Sequence, residues 1–241
     1  MKEATLLLGS SSELGAALAA RLQSEGQTIV TLDAGASDPE LPVDRAEILL
    51  LDQEEEIKAR LAALAEDYAF TRLLLNPPPL GGGAADAMQA GELAAKGAAC
   101  LHLPLACLQA VLPAMRKAAF GRILTFTSFL GLGEPGFSYE SARVSSLHSA
   151  ARTWSLELGG LGITVNALSA GVVDSRESRD LLAQGGTSAE ELLRLVPLRR
   201  YGRVEDLAEA ASFLLSERAS YITGQVIHVC GGLTVGRFGQ G

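Results

Sequence analysis

The chain has few of the residues that build disulfide frameworks, metal centres or nucleic-acid surfaces. Its 241 residues include three cysteines (Cys100, Cys107 and Cys230), three histidines and no CxxC pair. This number and spacing predict neither a disulfide framework nor a metal site. The formal net charge is −8 and no basic run offsets it, which argues against a nucleic-acid partner.

The chain also has no long, uninterrupted hydrophobic run. Its start, "MKEATLLLGSSSELG", contains an apolar run of only a few residues, so no signal peptide is predicted. The apolar stretch "CLHLPLACLQAVLPAM" is broken by His102, Pro104, Gln109 and Pro113 and is too short to span a bilayer. We therefore expect a cytoplasmic protein with no membrane partner.

Short apolar runs alternate with helical patterns along the chain. The runs predict strands at 4–8, 28–33, 47–52, 72–76, 121–128, 162–169 and 225–229. The helical patterns cover 13–26, 54–68, 92–119, 138–158 and 203–217. This alternation predicts one α/β domain over residues 1–241, with a parallel sheet covered by helices on both faces. Residues 172–202 are polar and predict an insertion with short helices.

The first strand, turn and helix read "LLLGSSSELG". Gly9 at the strand end allows a tight turn, and Gly15 allows close packing of the helix. The main-chain amides of Ser10 to Leu14 would then face a pyrophosphate at the helix N-terminus. Many strand-to-helix turns are rich in Gly and Ser for steric reasons alone, so the turn by itself leaves both interpretations open.

Two aspartates close the next two predicted strands. Asp33 follows Gly15 by 18 residues, where an acid can accept hydrogen bonds from an adenosine ribose. A carboxylate there would repel a 2′-phosphate, so NAD is favoured over NADP. Asp52 ends the third predicted strand and is interpreted either as an adenine contact or as the N-cap of the following helix.

Three segments of the second half carry a family resemblance. They are "QAVLPAM" followed by "GRILTFTS", "GITVNALSAGVVDS", and "RRYGRVEDLAEAASFLLSERASYITGQVIHVCGGL". With the turn and the two aspartates, the chain resembles the short-chain dehydrogenase/reductase family over nearly its whole length. It is most similar to the 3-oxoacyl-carrier-protein reductase branch. The resemblance implies a single Rossmann-type, doubly wound sheet of seven strands that binds NAD(P)(H) at the carboxyl ends of the strands.

The resemblance also implies roles for individual residues. Ser128 orients the substrate oxygen, Tyr139 gives or takes the proton, and Arg143 stands where the family has a lysine that holds the nicotinamide ribose and activates the tyrosine. The implied cofactor contacts are Gly9, Ser11, Leu14, Gly15, Asp33, Asp52, Asn76, Arg143, Gly171, Val173 and Ser175. Residues 172–202 correspond to a substrate lid.

Several positions depart from the family pattern. "LNPPP" replaces NNAG, Glu13 replaces a glycine, Ala170 replaces a proline, and Cys100 stands where the family has an asparagine that anchors a relay water. Arg143 is still a cation, and a nearby cation favours a phenolate. A guanidinium nevertheless stays protonated and cannot pass on a proton.

Three hypotheses follow from these patterns. The first is an NAD(H)-dependent oxidoreductase that interconverts a hydroxy and an oxo group, with an acyl thioester as one candidate substrate. The second is a catalytically impaired subunit that pairs with an active relative in a hetero-oligomer. The third is a nucleotide-binding module without chemistry. We also expect an assembly of two or four subunits, either a homo-oligomer or a hetero-oligomer with a subunit of the same family.

Overall fold

The computed structural model describes residues 1–33, 43–48, 54–186 and 188–236. The strands are β1 (Lys2–Leu8), β2 (Ile29–Asp33), β3 (Arg45–Ile48), β4 (Tyr68–Leu75), β5 (Gly121–Ser128), β6 (Ile163–Ala170) and β7 (Val226–Val229). The helices are α1 (Glu13–Ser24), α2 (Glu54–Asp67), α3 (Ala90–Ala118), α4 (Ser138–Leu158), α5 (Arg176–Gln184), α6 (Ala189–Leu195), α7 (Val204–Leu215) and α8 (Leu233–Gly236).

The strands form one parallel sheet in the order β3-β2-β1-β4-β5-β6-β7. Alternate residues of each strand enter opposite core layers, because successive side chains in a strand point to opposite faces. Leu6 and Leu8 pack with α2, α3 and α4 on one face, and Leu7 packs with α1 and α7 on the other. The predicted doubly wound, seven-stranded α/β fold is therefore confirmed.

The strand order reverses direction between β1 and β4. The chain leaves β1 toward β2 and β3 on one side, then crosses to β4 and continues to β7 on the other. In such sheets ligands bind in the crevice at the carboxyl ends of the strands next to this reversal. Residues that follow β1 and β4 are therefore placed at the site described below.

Two predicted strands begin earlier than the hydrophobic runs suggested. β4 starts at Tyr68 rather than at residue 72, since its ladder with β1 already pairs Lys2 with Tyr68. The predicted helix over 54–68 accordingly ends at Asp67. β3 starts at Arg45, which pairs with Val30, rather than at residue 47. Residues 49–52 of that prediction lie outside the described residues.

Helix α3 runs for 29 residues with Pro104 and Pro113 inside it. By length and composition alone it could cross a membrane, but half of its most apolar window is buried within the protein. The core helix of a soluble protein meets the same criterion. Cys107, Val111 and Met115 of α3 pack against the sheet, so here the helix forms part of the core.

The half-buried ring of His148 predicts acid sensitivity of the fold. Its Nε2 lies 2.8 Å from Thr127 Oγ1, and burial, with the nearby charges of His228, Arg152 and Arg143, lowers its pKa from 6.5 to about 4. Between these two values the unfolded chain binds the extra proton, so stability falls as the pH falls. We expect His148 to account for a loss of about 1 kcal/mol, and at most about 2 kcal/mol, between pH 7 and pH 5, since solvent reaches part of the ring.

Denaturant unfolding at pH 7, 6 and 5 measures this effect. The His148→Gln variant lacks the titrating ring, so its unfolding free energy should fall less steeply than that of the wild type. His228, whose pKa is also lowered by burial, contributes to the slope of both proteins. Parallel pH curves for the two proteins would contradict the prediction.

Candidate active site

The turn after β1 is held tightly against β4. Gly9 has φ +84°, and a Cβ on it would lie 2.0 Å from the carbonyl oxygen of Asn76. A Cβ on Gly15 would lie 2.1 Å from the carbonyl oxygen of Gly9. Ser12 caps α1 by accepting a 3.0 Å hydrogen bond from the Gly15 amide. Both glycines are therefore required for the first turn of α1 to pack this closely on the strand end.

Asp33 ends β2 beside this turn and is only 1% exposed. Its carboxylate accepts hydrogen bonds from Ser10 Oγ and, at 2.8 Å, from the Ser11 amide. The sequence predicts a ribose contact for Asp33, and in the structure this carboxylate holds the glycine turn in place. A carboxylate has about four acceptor positions, so two remain for a ligand. The other predicted adenosine contact, Asp52, lies outside the described residues.

Asn76 joins the ends of β1 and β4. Its Nδ2 donates to the carbonyl oxygen of Gly9 at 2.9 Å and to Ser12 Oγ at 3.0 Å. The side chain thus connects the two strands on either side of the reversal in strand order.

A cleft of about 340 Å³ opens at these strand ends. Most of the predicted site residues line it: Gly9, Ser11, Leu14, Asp33, Asn76, Ser128, Gly171, Val173 and Ser175. Gly15 lies behind the turn instead, packed on Gly9. The rest of the wall is largely apolar, and the sequence analysis had placed only its three prolines and Ala170 at family positions: Leu8, Pro77, Pro78, Pro79, Leu103, Ala170, Leu181 and Leu207. The structure therefore brings together residues that the chain supplies from β1, β2, β4, β5 and β6.

Ser128 ends β5 within this cleft. Its Oγ is buried and has no hydrogen-bond partner among the residues that the structure describes. A buried hydroxyl without a partner is costly in a folded protein. This oxygen is consequently available to a bound ligand or an ordered water.

Tyr139 lies at the start of α4 but not in the cleft wall. It is 4% exposed, and its hydroxyl donates to Glu92 Oε2 at 2.9 Å while accepting from the Gln89 amide at 2.8 Å. Gly83 lies on the ring, where a Cβ would come within 2.5 Å of Tyr139 Cδ2. The segment that leads into α3 therefore covers the phenol.

Arg143 is also buried, with 6% exposure. Its Nε and Nη2 donate to the carboxylate of Glu140, and its Nη1 lies 3.5 Å from the carbonyl oxygen of Pro77. Glu140 is fully buried and accepts a further 2.9 Å hydrogen bond from the Leu80 amide. The expected cation beside the phenol thus has its charge balanced by a carboxylate. The sequence analysis missed Glu140, although its spacing of three residues from Arg143 on a predicted helix was a signal of this pair.

Cys100, at the position of the relay asparagine, lies near this ion pair. It is 4% exposed, and burial raises the pKa of its thiol to about 11, with Arg143 acting in the opposite direction. At neutral pH the group is a neutral thiol, so it offers no base to the site.

The polar insertion folds over one side of the cleft. Glu177, Ser178 and Leu181 of α5 line it, and Leu182 packs into a separate apolar cluster around Phe137. The N-termini of α1 and α5 exchange side-chain caps: the Glu13 amide donates to Glu177 at 3.1 Å, and the Glu13 carboxylate accepts from the Arg176 amide at 3.3 Å. Glu13, which departs from the family pattern, therefore joins the turn to the insertion.

Comparisons with known proteins identify the family of the chain. The family model described as Enoyl-(Acyl carrier protein) reductase matches residues 9–234. The 3-oxoacyl-[acyl-carrier-protein] reductase FabG of Staphylococcus epidermidis is 28% identical over 245 residues, which cover 97% of this chain and 99% of the relative. FabG of Thermotoga maritima is 28% identical over 244 residues, which cover 95% and 97%.

A solved structure shares the fold over almost its whole length. It is described as an NAD(P)-dependent gluconate 5-dehydrogenase from Beutenbergia cavernae with bound NADP, with a TM-score of 0.88 and 24% identity over 97% of both chains. The chain belongs to the short-chain dehydrogenase/reductase family of oxidoreductases. Within that family it is similar to the FabG-like branch.

Proposed function

We propose that this protein is an NAD(H)-dependent oxidoreductase that interconverts a hydroxy and an oxo group, with an acyl thioester as one candidate substrate class. The supporting observation is that the turn at Gly9, the carboxylate of Asp33 and the hydroxyl of Ser128 line a single cleft. The family relation supports the reaction class. We place the protein in the cytoplasm, in keeping with its similarity to the FabG reductases.

The cleft residues fit a nicotinamide dinucleotide. The amides at the N-terminus of α1 can receive a diphosphate, because that end of a helix attracts anions. Asp33 keeps acceptor positions for ribose hydroxyls, and Ser128 Oγ, which has no partner among the described residues, lies at the end of β5. When bound, the cofactor would supply or accept the hydride. The chain's own residues then orient the substrate oxygen at Ser128 and move the proton at the Tyr139 hydroxyl, while residues 172–202 cover the substrate.

Turnover tests this function directly. Purified protein with NADH is expected to reduce at least one member of a panel of 3-oxoacyl thioesters and small ketones, measured as loss of the NADH absorbance. The reverse reaction is followed with NAD and the matching alcohols. No turnover by the wild type in either direction would contradict the proposal.

Asp33 predicts a preference for NADH over NADPH. A 2′-phosphate would meet its carboxylate, and one further unfavourable interaction of about 1.4 kcal/mol corresponds to a tenfold weaker affinity. Fluorescence titration of the wild type should therefore give a Kd for NADH at least about tenfold below that for NADPH, and Asp33→Asn should narrow this gap.

The matched control is Ser10→Ala, which removes a hydrogen bond to Asp33 without changing the charge. It should weaken both cofactors alike. Equal affinities in the wild type, or tighter NADPH binding, would show that Asp33 does not select NAD.

A specific observation favours a second candidate, the impaired subunit of a hetero-oligomer. Tyr139 lies outside the described cleft wall with its hydroxyl engaged by Glu92, and Arg143 is paired with Glu140. This candidate expects an inactive chain that gains a defined native mass and activity only when co-expressed with a relative that has the family's lysine. Full activity of the chain purified alone as a homo-oligomer would exclude it.

A further inference from the structure

The hydroxyl of Tyr139 lies at the N-terminus of α3. It accepts from the amide of Gln89, the N-cap residue, and donates to the carboxylate of Glu92 in the first turn. Neither residue belongs to the set that the sequence analysis assigned to the site. Because the phenol oxygen is the atom that would exchange the proton, these two contacts bear directly on the proposed chemistry.

Tyr139 and Glu92 differ in their access to water. Tyr139 is 4% exposed, whereas Glu92 is an exposed residue. A buried phenol that gives up a proton in every cycle must recover it through a neighbour. The amide N–H of Gln89 cannot carry the proton, while the carboxylate of Glu92 can both accept and donate one.

Within the part of the chain that the structure describes, the other ionisable groups near the start of α4 do not provide this path. Arg143 keeps its protons as a guanidinium and directs them at Glu140 and Pro77. Cys100 is buried, and its thiol stays protonated at neutral pH. The carboxylate of Glu140 is fully buried and is already bonded to Arg143 and to the Leu80 amide.

We propose that Glu92 relays protons between the Tyr139 hydroxyl and solvent, and that the Gln89 amide stabilises the phenolate between transfers. This proposal rests on the oxidoreductase function proposed above. A hydrogen bond donated to an anion favours the charged form, and the positive end of the 29-residue helix α3 acts in the same sense. The N-terminus of α3 thereby stabilises the phenolate of Tyr139. Arg143 contributes little to this stabilisation, because its charge is balanced by Glu140.

The proton balance of a reduction is as follows. The Tyr139 hydroxyl turns from Glu92 to the substrate, its O–H bond breaks, and the proton passes to the carbonyl oxygen, while the carbonyl carbon receives a hydride that bound NADH would supply. The carboxylate of Glu92 then takes a proton from solvent and passes it to the phenolate of Tyr139, which restores both groups to their starting states. Oxidation of the alcohol runs the same transfers in reverse and releases one proton to solvent.

The test compares Glu92→Gln and Glu92→Ala with the wild type. Both variants should lose about 10²-fold in kcat, the size of a proton-transfer contribution, with KM and the NADH affinity from fluorescence titration unchanged. Added formate, a small carboxylate, should restore turnover of Glu92→Ala in a concentration-dependent way but should not restore Tyr139→Phe. The matched control is Glu157→Gln, an exposed glutamate on α4, which should keep the wild-type kcat.

The outcomes separate this inference from the proposed function. If the wild type turns over but the Glu92 variants keep its kcat or exceed it, Glu92 only competes with the substrate for the phenol and the relay is wrong. A reduced kcat without formate rescue, or a weakened NADH affinity, would assign Glu92 a structural role and overturn the relay. A wild type that binds NADH but turns over no substrate would overturn the proposed function and the relay together.

Discussion

Replacing Tyr139 with phenylalanine is expected to lower kcat/KM by about 10³-fold, within the range of general acid–base contributions. The variant keeps the ring on which Gly83 packs and loses only the hydroxyl that contacts Gln89 and Glu92. Steady-state kinetics with NADH and the best substrate of the panel measure the effect. The affinity for NADH should stay within about threefold of the wild type, because Tyr139 does not line the described cleft.

Tyr68→Phe is the matched control for this prediction. Tyr68 lies at the start of β4, packed near Phe70 at a ring-centroid distance of 5.8 Å, and it contributes no wall to the cleft. Its loss of a hydroxyl should leave kcat/KM unchanged. An active Tyr139→Phe variant would remove Tyr139 from the reaction and would favour another proton donor on this fold.

Replacing Glu140 with alanine is expected to lower the free energy of unfolding by about 3–5 kcal/mol. The substitution leaves the guanidinium of Arg143 buried without its carboxylate, and it removes the acceptor of the Leu80 amide. Removing one partner of a buried ion pair is costly because an uncompensated charge stays in a medium of low dielectric. Denaturant unfolding at pH 7 measures the loss.

Two further variants test the physical reason. The double variant Glu140→Leu/Arg143→Met replaces both charges with apolar groups and should recover most of the lost stability. Asp174→Ala breaks the pair with Arg179, in which both side chains are about 60% exposed, and should cost less than about 1 kcal/mol. If Glu140→Ala costs as little as Asp174→Ala, the buried pair does not stabilise the segment between β4 and α3.

Much of the fold could be predicted because its elements are encoded locally. The range of α4, 138–158, and that of β5, 121–128, agree with the structure at both ends. An apolar run ended by a glycine, a helical pattern and a turn residue each depend on neighbours within a few positions. The early start of β4 at Tyr68 was missed because pairing with β1, a contact distant in sequence, decides it.

The functional site shows the same difference between what neighbouring residues decide and what distant contacts decide. Ser128 and Asp33 end strands, and parallel strands end at one edge of the sheet, so their place in one cleft followed from the strand predictions. The partners of Tyr139 and Arg143 did not follow. Glu92 precedes Tyr139 by 47 positions and belongs to another helix, so no local pattern indicated that the two side chains would meet.

The amino-acid sequence by itself determined the parallel α/β sheet, the glycine turn at Gly9 and the set of strand-end residues that line the cleft, because hydrophobic period and turn chemistry act over short stretches of chain. Only the tertiary structure decided what the motif "SYESAR" does with its two polar groups. Because the segment after β4 packs against α4, the Tyr139 hydroxyl forms hydrogen bonds with the N-terminus of α3, and Arg143 forms an ion pair with Glu140. The physical reason is that a buried donor or charge must find a partner nearby in space, and folding determines which partner that is.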